Sequence, residues 1–328
     1  SMVFALVSGI LIGVIGATTS RFFLVIMQTP AEIIDLSTSY LVIYFCGLPF
    51  SMIYNFGSSV MRATGDTKRP FYFLGAAGLV NVLLNLFFVI VCHMDVAGVA
   101  LATIISQGIS ALCVVIAMLR NRGFFHFRFR EVRFHGSVAK EIAVIGIPAG
   151  VQGMLFSISN VMLQSSINSF GTSVMDGNGA AASLEGFVYA TMNSVAQTAG
   201  SFAAANYGAK KWKNARNSAL YAAVLVMLFW SVSGGIIYFF RYPLLGLYLN
   251  AEDTAAFAAA GERMLAVCCT YFLCGLMDTF AYTLRGIGHS FLSMSVCLAG
   301  VCGLRIVWIY LLFPNPAFHS MYSLMLSY

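Results

Sequence analysis

Nine long runs of apolar residues follow one another along the chain, and they constrain its fold more than any other feature. They lie at about 3–27, 38–61, 71–92, 96–119, 140–169, 183–206, 215–240, 255–284 and 290–313, with a partial tenth from about 317. A transmembrane helix needs about 20 such residues. Only 9% of the residues are charged, whereas soluble domains hold roughly 25%. The sequence therefore predicts an all-α, polytopic membrane protein embedded in a lipid bilayer.

Basic residues are concentrated on alternate connections between these runs. Fourteen of the eighteen Lys and Arg residues lie there, namely Arg62, Lys68, Arg69, Arg120, Arg122, Arg128, Arg130, Arg133, Lys140, Lys210, Lys211, Lys213, Arg216 and Arg285. Because Lys and Arg are enriched in cytoplasmic connections, these connections are predicted to face the cytoplasm. The net charge of +6 is then an orientation signal, and no nucleic-acid partner is expected. A multi-pass protein of the plasma (inner) membrane is predicted.

The longest polar connection separates the chain into two halves. Its segment 124–134 alternates Phe with Arg, which favours a position on the membrane surface with Phe inserted and Arg near anionic headgroups. We predict an incomplete N-terminal lobe at 1–119, a cytoplasmic inter-lobe linker at 120–139 and a C-terminal lobe at 140–328 whose last helix is truncated.

A sequence repeat relates the two halves. Each copy has a polar residue, an Arg and a Gly with the same spacing, and the second copy is shifted by 223 residues from the first. The first copy is Asn55, Arg62 and Gly65, and the second is Asp278, Arg285 and Gly288. Both copies run in the same direction, as in transporters with parallel repeats. The same spacing predicts two further helices before residue 1. The complete protein is expected to have twelve helices, of which about ten, helices three to twelve, are present here.

An acidic residue inside the run at 255–284 is the first candidate functional residue. Arg285 marks the predicted cytoplasmic boundary of this run, and Asp278 lies seven residues before it. In a helix, this distance places Asp278 about 10 Å inside the membrane. An intramembrane carboxylate is costly and indicates function by default. Asp278 is predicted to bind a coupling proton or Na⁺, or to contact substrate. A structural hydrogen bond or ion pair is the alternative.

Two more charged residues lie within predicted spans. Glu185 is near the outer end of its helix, where it either contacts a cationic substrate or is an ordinary interface charge. Arg305 lies in the middle of its span, about 22 Å from the cytoplasmic side. An unpaired Arg at that depth is costly, so we predict an ion pair between Arg305 and either Glu185 or Asp278.

Neutral polar residues recur at helical spacing and form stripes that face protein or water rather than lipid. The candidates for a cavity lining are Asn160 and Gln164, with Gln152 and Asn168 on the same stripe, then Asn193 and Gln197, and the pair Asn81 and Asn85. Interhelical hydrogen bonding is the alternative for each. Tyr189, Phe187 and Tyr282 are candidates for cation–π contact with a substrate.

Two further predictions concern backbone geometry. Pro148, flanked by Gly146 and Gly150, is a candidate hinge because proline kinks helices. Gly9, Gly13 and Gly16 are expected to allow close helix packing.

The sequence shows no catalytic constellation. The five histidines are scattered near helix ends or in loops, without a metal-binding pair. No Ser/His arrangement, paired aspartates or metal cluster is found at matched depth. The protein is therefore not expected to be an enzyme, and no cofactor beyond a coupling ion is expected.

Four segments together resemble the multidrug and toxic compound extrusion (MATE) transporters. The run IYNFGSSVMRATGDTKRP at 53–70 resembles the junction of their fourth and fifth helices. The runs EGFVY at 185–189 and ANYGAKK at 205–211 resemble their eighth helix and its cytoplasmic exit. The run CGLMDTFAYTLRGIG at 274–288 resembles their tenth helix. The resemblance spans essentially the whole chain.

The resemblance implies two six-helix lobes around a central cavity that rock between outward-open and inward-open states. It implies export of small organic cations in exchange for Na⁺ or H⁺, by a monomer. Two features depart from the family: its acidic residue in the first helix has no counterpart here, and no Glu follows Pro148. A lipid-linked oligosaccharide flippase is the alternative. Its anionic substrate would require several intramembrane Arg or Lys residues, whereas the sequence indicates two intramembrane acids and one base.

Overall fold

The computed structural model describes residues 2–26, 31–120, 135–168, 170–250, 253–315 and 323, and these residues form helices without any strand. The α-helices are α1 Met2–Ile26, α2 Ala31–Cys46, α3 Leu48–Ala63, α4 Lys68–Leu86, α5 Asp95–Arg120, α6 Gly136–Asn168, α7 Thr172–Gly208, α8 Trp212–Phe239, α9 Arg241–Leu245, α10 Thr254–Gly286, α11 Ser290–Cys297 and α12 Leu304–Val307. Three π-helical segments, Phe87–Val91, Leu298–Gly303 and Trp308–Leu312, continue α4, α11 and α12. The predicted all-α fold is confirmed.

Most of the predicted spans are helices long and apolar enough to cross a membrane. Six pass by length and composition: Met2–Ile26, Lys68–Val91, Asp95–Arg120, Gly136–Asn168, Trp212–Phe239 and Ser290–Leu312. Two bent pairs, Ile33–Cys46 with Leu48–Ala63 and Thr254–Val267 with Cys269–Gly286, raise the number to eight if each is one span. The predicted span at 183–206 lies in α7, which is helical over 37 residues but is not among these apolar spans.

Two predictions fall largely outside the described residues. The alternating Phe and Arg segment at 124–134 is one. The other is the partial tenth span from about 317, of which only Ser323 is described.

The chain forms two compact units, residues 1–140 and 141–328. In the first unit, α1 packs against α2 and α3. A Cβ on Gly9 would lie 2.8 Å from the Pro49 Cα, and one on Gly13 would lie 2.8 Å from the Phe45 carbonyl oxygen. No side chain fits there, so the predicted close packing of these glycines is confirmed. The predicted domain limits remain predictions.

In the second unit, α7 and α10 pack along much of their length, and α8 lies against both. Glycines bring α7 and α10 together, because a Cβ on Gly177 would meet the Ala256 backbone and one on Gly200 would lie 2.7 Å from the Tyr282 carbonyl oxygen. The buried side chains around this pair include Leu163, Ile167, Leu184, Met192, Val226 and Met264. The polar residues of α7 are therefore brought close to α10.

The repeat predicted from the sequence is visible in the backbone of each unit. α3 ends at Ala63 and α10 ends at Gly286, 223 residues apart. Gly65 and Gly288 follow with φ of +88° and +91°, a left-handed conformation that glycine adopts without steric cost. Each unit also has a bent helix before this turn, by 42° after Cys46 and by 48° after Val267. The bends themselves were not predicted.

Candidate functional site

A polar cluster surrounds Asp278 where α10 lies against α7. Asp278 is 8% exposed. The Asn193 side-chain amide donates to its carboxylate at 3.3 Å and to the Tyr189 hydroxyl oxygen at 3.1 Å. The Tyr189 hydroxyl lies close to the same carboxylate, and Gln197 donates to the Asn193 side-chain oxygen at 2.5 Å. The structure thus brings together four candidates from the sequence, Asp278, Asn193, Gln197 and Tyr189.

This cluster, defined as Asp278, Asn193, Tyr189 and Gln197, connects a buried carboxylate to the surface of its unit. Tyr189 is 39% exposed, and Gln197 is exposed. Among the described residues, the side-chain hydrogen bond to Asp278 comes from the neutral amide of Asn193, and Arg285 acts on the carboxylate only from a distance. Oxygen atoms of a carboxylate, a hydroxyl and an amide are the ligands that hard cations bind. The cluster is therefore chemically able to bind a proton or Na⁺ at Asp278.

A second buried cluster lies further toward the start of α10. Arg263 donates from Nε and Nη2 to the two carboxylate oxygens of Glu185, at 2.9 and 2.7 Å, and from Nη1 to the Asn178 side-chain oxygen at 2.5 Å. Asn178 donates to Gln164 at 3.2 Å, and Gln164 donates to Asn168 at 2.9 Å. The hydrogen bonds therefore link α10 through α7 to α6.

Glu185 is not an ordinary interface charge, because it is 2% exposed and forms a bidentate ion pair with Arg263. A contact of Glu185 with a cationic substrate stays a prediction. An Arg–carboxylate pair of this geometry is strong and fixes both partners. Glu185 therefore holds α10 to α7.

Arg263 is not among the residues predicted from the sequence. It lies nine residues into the predicted run at 255–284, directly after Glu262, where two adjacent charges resemble the polar end of a span. Arg263 is 6% exposed. An Arg inside an apolar run requires an acidic partner, and this signal would have found it.

Arg305 does not form the predicted ion pair with Glu185, because Arg263 contacts both oxygens of that carboxylate. Arg305 is 3% exposed and donates to the Ser159 hydroxyl at 3.2 Å and the Asn160 side-chain oxygen at 2.7 Å. Asp278 accepts a hydrogen bond from Asn193 instead. Arg305 therefore joins α12 to α6.

Three residues of the polar stripe of α6, Gln152, Asn160 and Gln164, form hydrogen bonds to other helices, whereas Asn160, Gln164 and Asn168 are exposed within their unit. Besides Asn160 and Gln164, the Gln152 side-chain oxygen accepts from Arg285 at 2.8 Å. The Ser290 hydroxyl also donates to the Ile145 carbonyl at 2.7 Å. Interhelical hydrogen bonding therefore accounts for the buried Gln152, whereas a cavity-lining role of the exposed positions stays a prediction.

Pro148 lies inside the continuous helix α6. The bends of more than 40° found within the described spans lie elsewhere, after Cys46 and after Val267. A hinge at Pro148 remains a prediction.

The remaining candidates have contacts within their own units. The Arg285 guanidinium carbon lies 5.0 Å from the centroid of the Tyr282 ring, so one cation–π contact of Tyr282 is already made by the protein. In the first unit, Asn81 donates to Ser106 on α5 at 3.3 Å, and Asn85 donates to Asn81 at 3.1 Å. Asn81 therefore joins α4 to α5, and Asn85 donates to Asn81 from the same helix.

A duplicated helical unit with a broken span, together with a buried acidic residue in contact with neutral polar groups, defines a multi-pass membrane protein of the transporter class. The comparison with known families is specific. The MatE family model matches residues 1–87 and 148–311, and the chain belongs to this family of transporters, which are not enzymes.

Relatives and solved structures agree with this assignment. The chain is 31% identical over 253 residues to the probable multidrug resistance protein YpnP of Bacillus subtilis, covering 77% of this chain and 56% of YpnP. It is 25% identical to YoeA of the same organism, covering 93% of this chain and 67% of YoeA. An outward-facing structure of a multidrug resistance MATE family transporter superimposes with a TM-score of 0.91 at 17% identity, covering 100% of this chain and 73% of that one. The chain thus spans little more than half of YpnP and two thirds of YoeA.

Proposed function

We propose that this chain is part of a secondary active antiporter that exports small organic molecules, and that Asp278 is the carboxylate that binds the coupling ion. The observation that carries the proposal is the contrast between the two buried acids of the second unit. Glu185 is neutralised by a bidentate Arg. Asp278 is also buried, at 8% exposure, but its described hydrogen-bond donor is the neutral amide of Asn193.

This contrast assigns different roles to the two residues. Arg263 compensates the charge of Glu185 permanently. Asp278 has no ion-pair partner among the described residues: Asn193 donates a hydrogen bond but brings no charge, and Arg285 acts on the carboxylate only from a distance. A bound proton or cation would therefore compensate its charge. Binding of the coupling ion therefore changes the electrostatics of the α7–α10 contact. A ligand that binds two conformations unequally shifts the equilibrium between them, which is the requirement for alternating access.

Both Na⁺ and H⁺ suit this site, since its ligands are oxygen atoms. We propose organic cations as substrates on the basis of family membership and of the names of the relatives, which are multidrug resistance proteins. Transport by a monomer in the plasma membrane is part of the proposal.

The alternative of a lipid-linked oligosaccharide flippase depends on the number of intramembrane bases. With Arg263 included, the predicted spans contain two buried acids, Glu185 and Asp278, and two buried bases, Arg263 and Arg305. The sequence had indicated only one base. Arg263 is already paired with Glu185, so it adds no free positive charge for an anionic substrate. The flippase is therefore retained as an outcome of the transport experiment.

The proposal is tested with the full-length protein in proteoliposomes. Efflux of a fluorescent organic cation is measured under an imposed Na⁺ gradient and, separately, an imposed pH gradient, for the wild type and for Asp278→Asn. Glu262→Gln is the matched control, because Glu262 is an exposed carboxylate on the same helix. We expect the wild type and Glu262→Gln to transport under one gradient, and Asp278→Asn to lose transport while remaining folded.

Normal gradient-driven efflux by Asp278→Asn would show that the residue is structural and would refute its coupling role. Absence of cation efflux by the wild type under both gradients would refute the cation antiporter. Transport of a lipid-linked oligosaccharide by that same preparation would then establish the flippase.

A further inference from the structure

Helix α10 is bent by 48° between Thr254–Val267 and Cys269–Gly286. We call these segments the outer half and the inner half, after the predicted orientation. Neither Pro nor Gly lies at the bend. Thr270 follows it directly, and its hydroxyl donates to the carbonyls of Ala266 at 3.0 Å and Val267 at 3.4 Å. Threonine hydroxyls that bond to carbonyls of the preceding turn often bend helices, which gives the bend a local cause.

One polar contact with α7 lies on each side of this bend. Arg263 in the outer half contacts Asn178, and Asp278 in the inner half contacts Asn193. The two contacts have the same register, because each joins residues 85 positions apart. They are fifteen residues, or about 22 Å, apart along either helix. Each half of α10 is therefore attached separately to α7.

The two attachments differ in strength. The outer one consists of three charge-assisted hydrogen bonds from Arg263, two of them to Glu185. Bidentate Arg–carboxylate pairs are among the strongest polar contacts in proteins. The inner one includes a single bond of 3.3 Å from Asn193, close to the length limit of N–H···O hydrogen bonds. Breaking the outer attachment would leave a buried charge without a partner, which costs several kcal/mol. Of the two polar contacts, the inner one is thus the weaker.

We propose that Arg263 is a positioning residue of the transport cycle. It holds the outer half of α10 against α7, so that ion binding at Asp278 bends α10 about residue 268 and moves the inner half alone. The proposal deepens the proposed function and rests on it, because it takes Asp278 as the group whose charge changes. It places the moving element within one unit, at a bend that already exists. The inner half carries Tyr282 and Arg285, so its movement also displaces the contact between Arg285 and Gln152 on α6.

The proposal is tested by electron–electron spin distance measurements on a cysteine-free, full-length protein in lipid nanodiscs. One label pair reports the inner half, at Ser194 on α7 and Phe280 on α10. The second pair reports the outer half, at Ser183 on α7 and Glu262 on α10. All four residues are exposed, so labels fit without repacking the core. The Asp278→Asn variant imitates the neutralised carboxylate, and the wild type without coupling ion is the reference.

We expect Asp278→Asn to shift the inner distance distribution by several ångström and to leave the outer distribution unchanged. An unchanged inner distance would overturn the proposal. A shift of both distances together would also overturn it, because α10 would then move as one body. These measurements do not depend on transport, so they are distinguishable from a failure of the antiporter proposal in the efflux assay.

The single variant Arg263→Gln would leave Glu185 buried without its counter-charge, which endangers folding. The role of Arg263 is therefore tested with two double variants. The double variant Glu185→Leu/Arg263→Leu removes both charges together, and replacing a buried ion pair by apolar residues is often neutral or stabilising. We expect the folded double variant to show a broadened outer distance and a maximal efflux rate lowered about tenfold with KM unchanged.

A charge-preserving exchange completes the test. Glu185→Arg/Arg263→Glu keeps an ion pair between the same two positions, and we expect it to restore a narrow outer distance distribution and part of the efflux rate. A double leucine variant that folds, keeps a narrow outer distance and transports at the wild-type rate would refute the positioning role of Arg263.

Discussion

At the scale of single residues, the buried polar side chains of α7 and α10 are tolerated because each has a partner on the other helix. Glu185, Arg263 and Asp278 all occupy positions with less than a tenth of their surface exposed. In a membrane, an unsatisfied polar group costs several kcal/mol, so partners must be present within the protein. Their identities distinguish the roles: a permanent counter-charge for Glu185, and a neutral amide donor for Asp278.

This distinction predicts the stability of single variants. Glu185→Gln removes the charge that neutralises Arg263, and breaking one side of a buried ion pair costs about 3–5 kcal/mol. We expect a clearly lower thermal unfolding temperature in detergent, measured by tryptophan fluorescence. The control Glu262→Gln alters an exposed carboxylate and is expected to stay within about 0.5 kcal/mol of the wild type. Equal unfolding temperatures of the two variants would contradict the prediction.

At the scale of helices, the glycines of α1 determine how closely the bent pair α2 and α3 approaches it. Gly9 faces the backbone of Pro49, and Gly13 faces the carbonyl of Phe45. Both partners flank the bend after Cys46, where Pro49 follows Gly47. Proline lacks a donor and its ring conflicts with the carbonyl four residues earlier, which here is that of Phe45. The bend and the close contact therefore involve the same backbone groups.

A pair of glycine variants tests this packing. In Gly13→Ala the new methyl group would lie 2.8 Å from the Phe45 carbonyl oxygen, and overpacking a tight contact costs about 1–3 kcal/mol. Gly75 lies on α4, where an added methyl group would have no neighbouring atom within 4 Å, so Gly75→Ala is the matched control. Alanine is favoured over glycine in a helix by about 1 kcal/mol, so the control should gain stability where Gly13→Ala loses it. An increase in stability of both variants would contradict the prediction, because α1 would then shift to make room for the added methyl group.

At the scale of the whole molecule, the alternation of charge predicts its orientation in the membrane. The connection between α7 and α8 carries Lys210, Lys211 and Lys213 and is predicted to be cytoplasmic. The connection between α9 and α10 contains Asn250 and Asp253 and is predicted to lie outside. Two exposed positions, Lys211 and Asn250, represent the two sides.

Single cysteines at these positions test the orientation in a cysteine-free background. We expect Asn250→Cys to react with a membrane-impermeant maleimide on intact cells, and Lys211→Cys to react only after permeabilisation. The reverse pattern would invert the orientation and place Asp278 near the outside rather than the cytoplasm. Each variant serves as the control of the other, because both sites lie in exposed connections between helices.

Much of this architecture follows from the sequence. The repeat signal at Arg62 and Arg285 located equivalent helix ends, because a terminal Arg and a glycine with positive φ are both local features. Asp278 was identified by the same kind of reasoning, since a carboxylate in an apolar run is anomalous wherever it occurs. The bend after Val267 was not predicted, because Thr270 is compatible with a straight helix as well as a bent one.

The sequence by itself thus determined the helical class, the repeat and the candidate acid, because apolar length, charge alternation and isolated polar residues are properties of contiguous residues. Only the tertiary structure decided the partners. Glu185 pairs with Arg263, 78 positions away, rather than with Arg305, and Asn193 contacts Asp278 from 85 positions away. These choices depend on the register in which α7 packs on α10, which is set by glycine contacts and side-chain packing between segments that are distant in the chain.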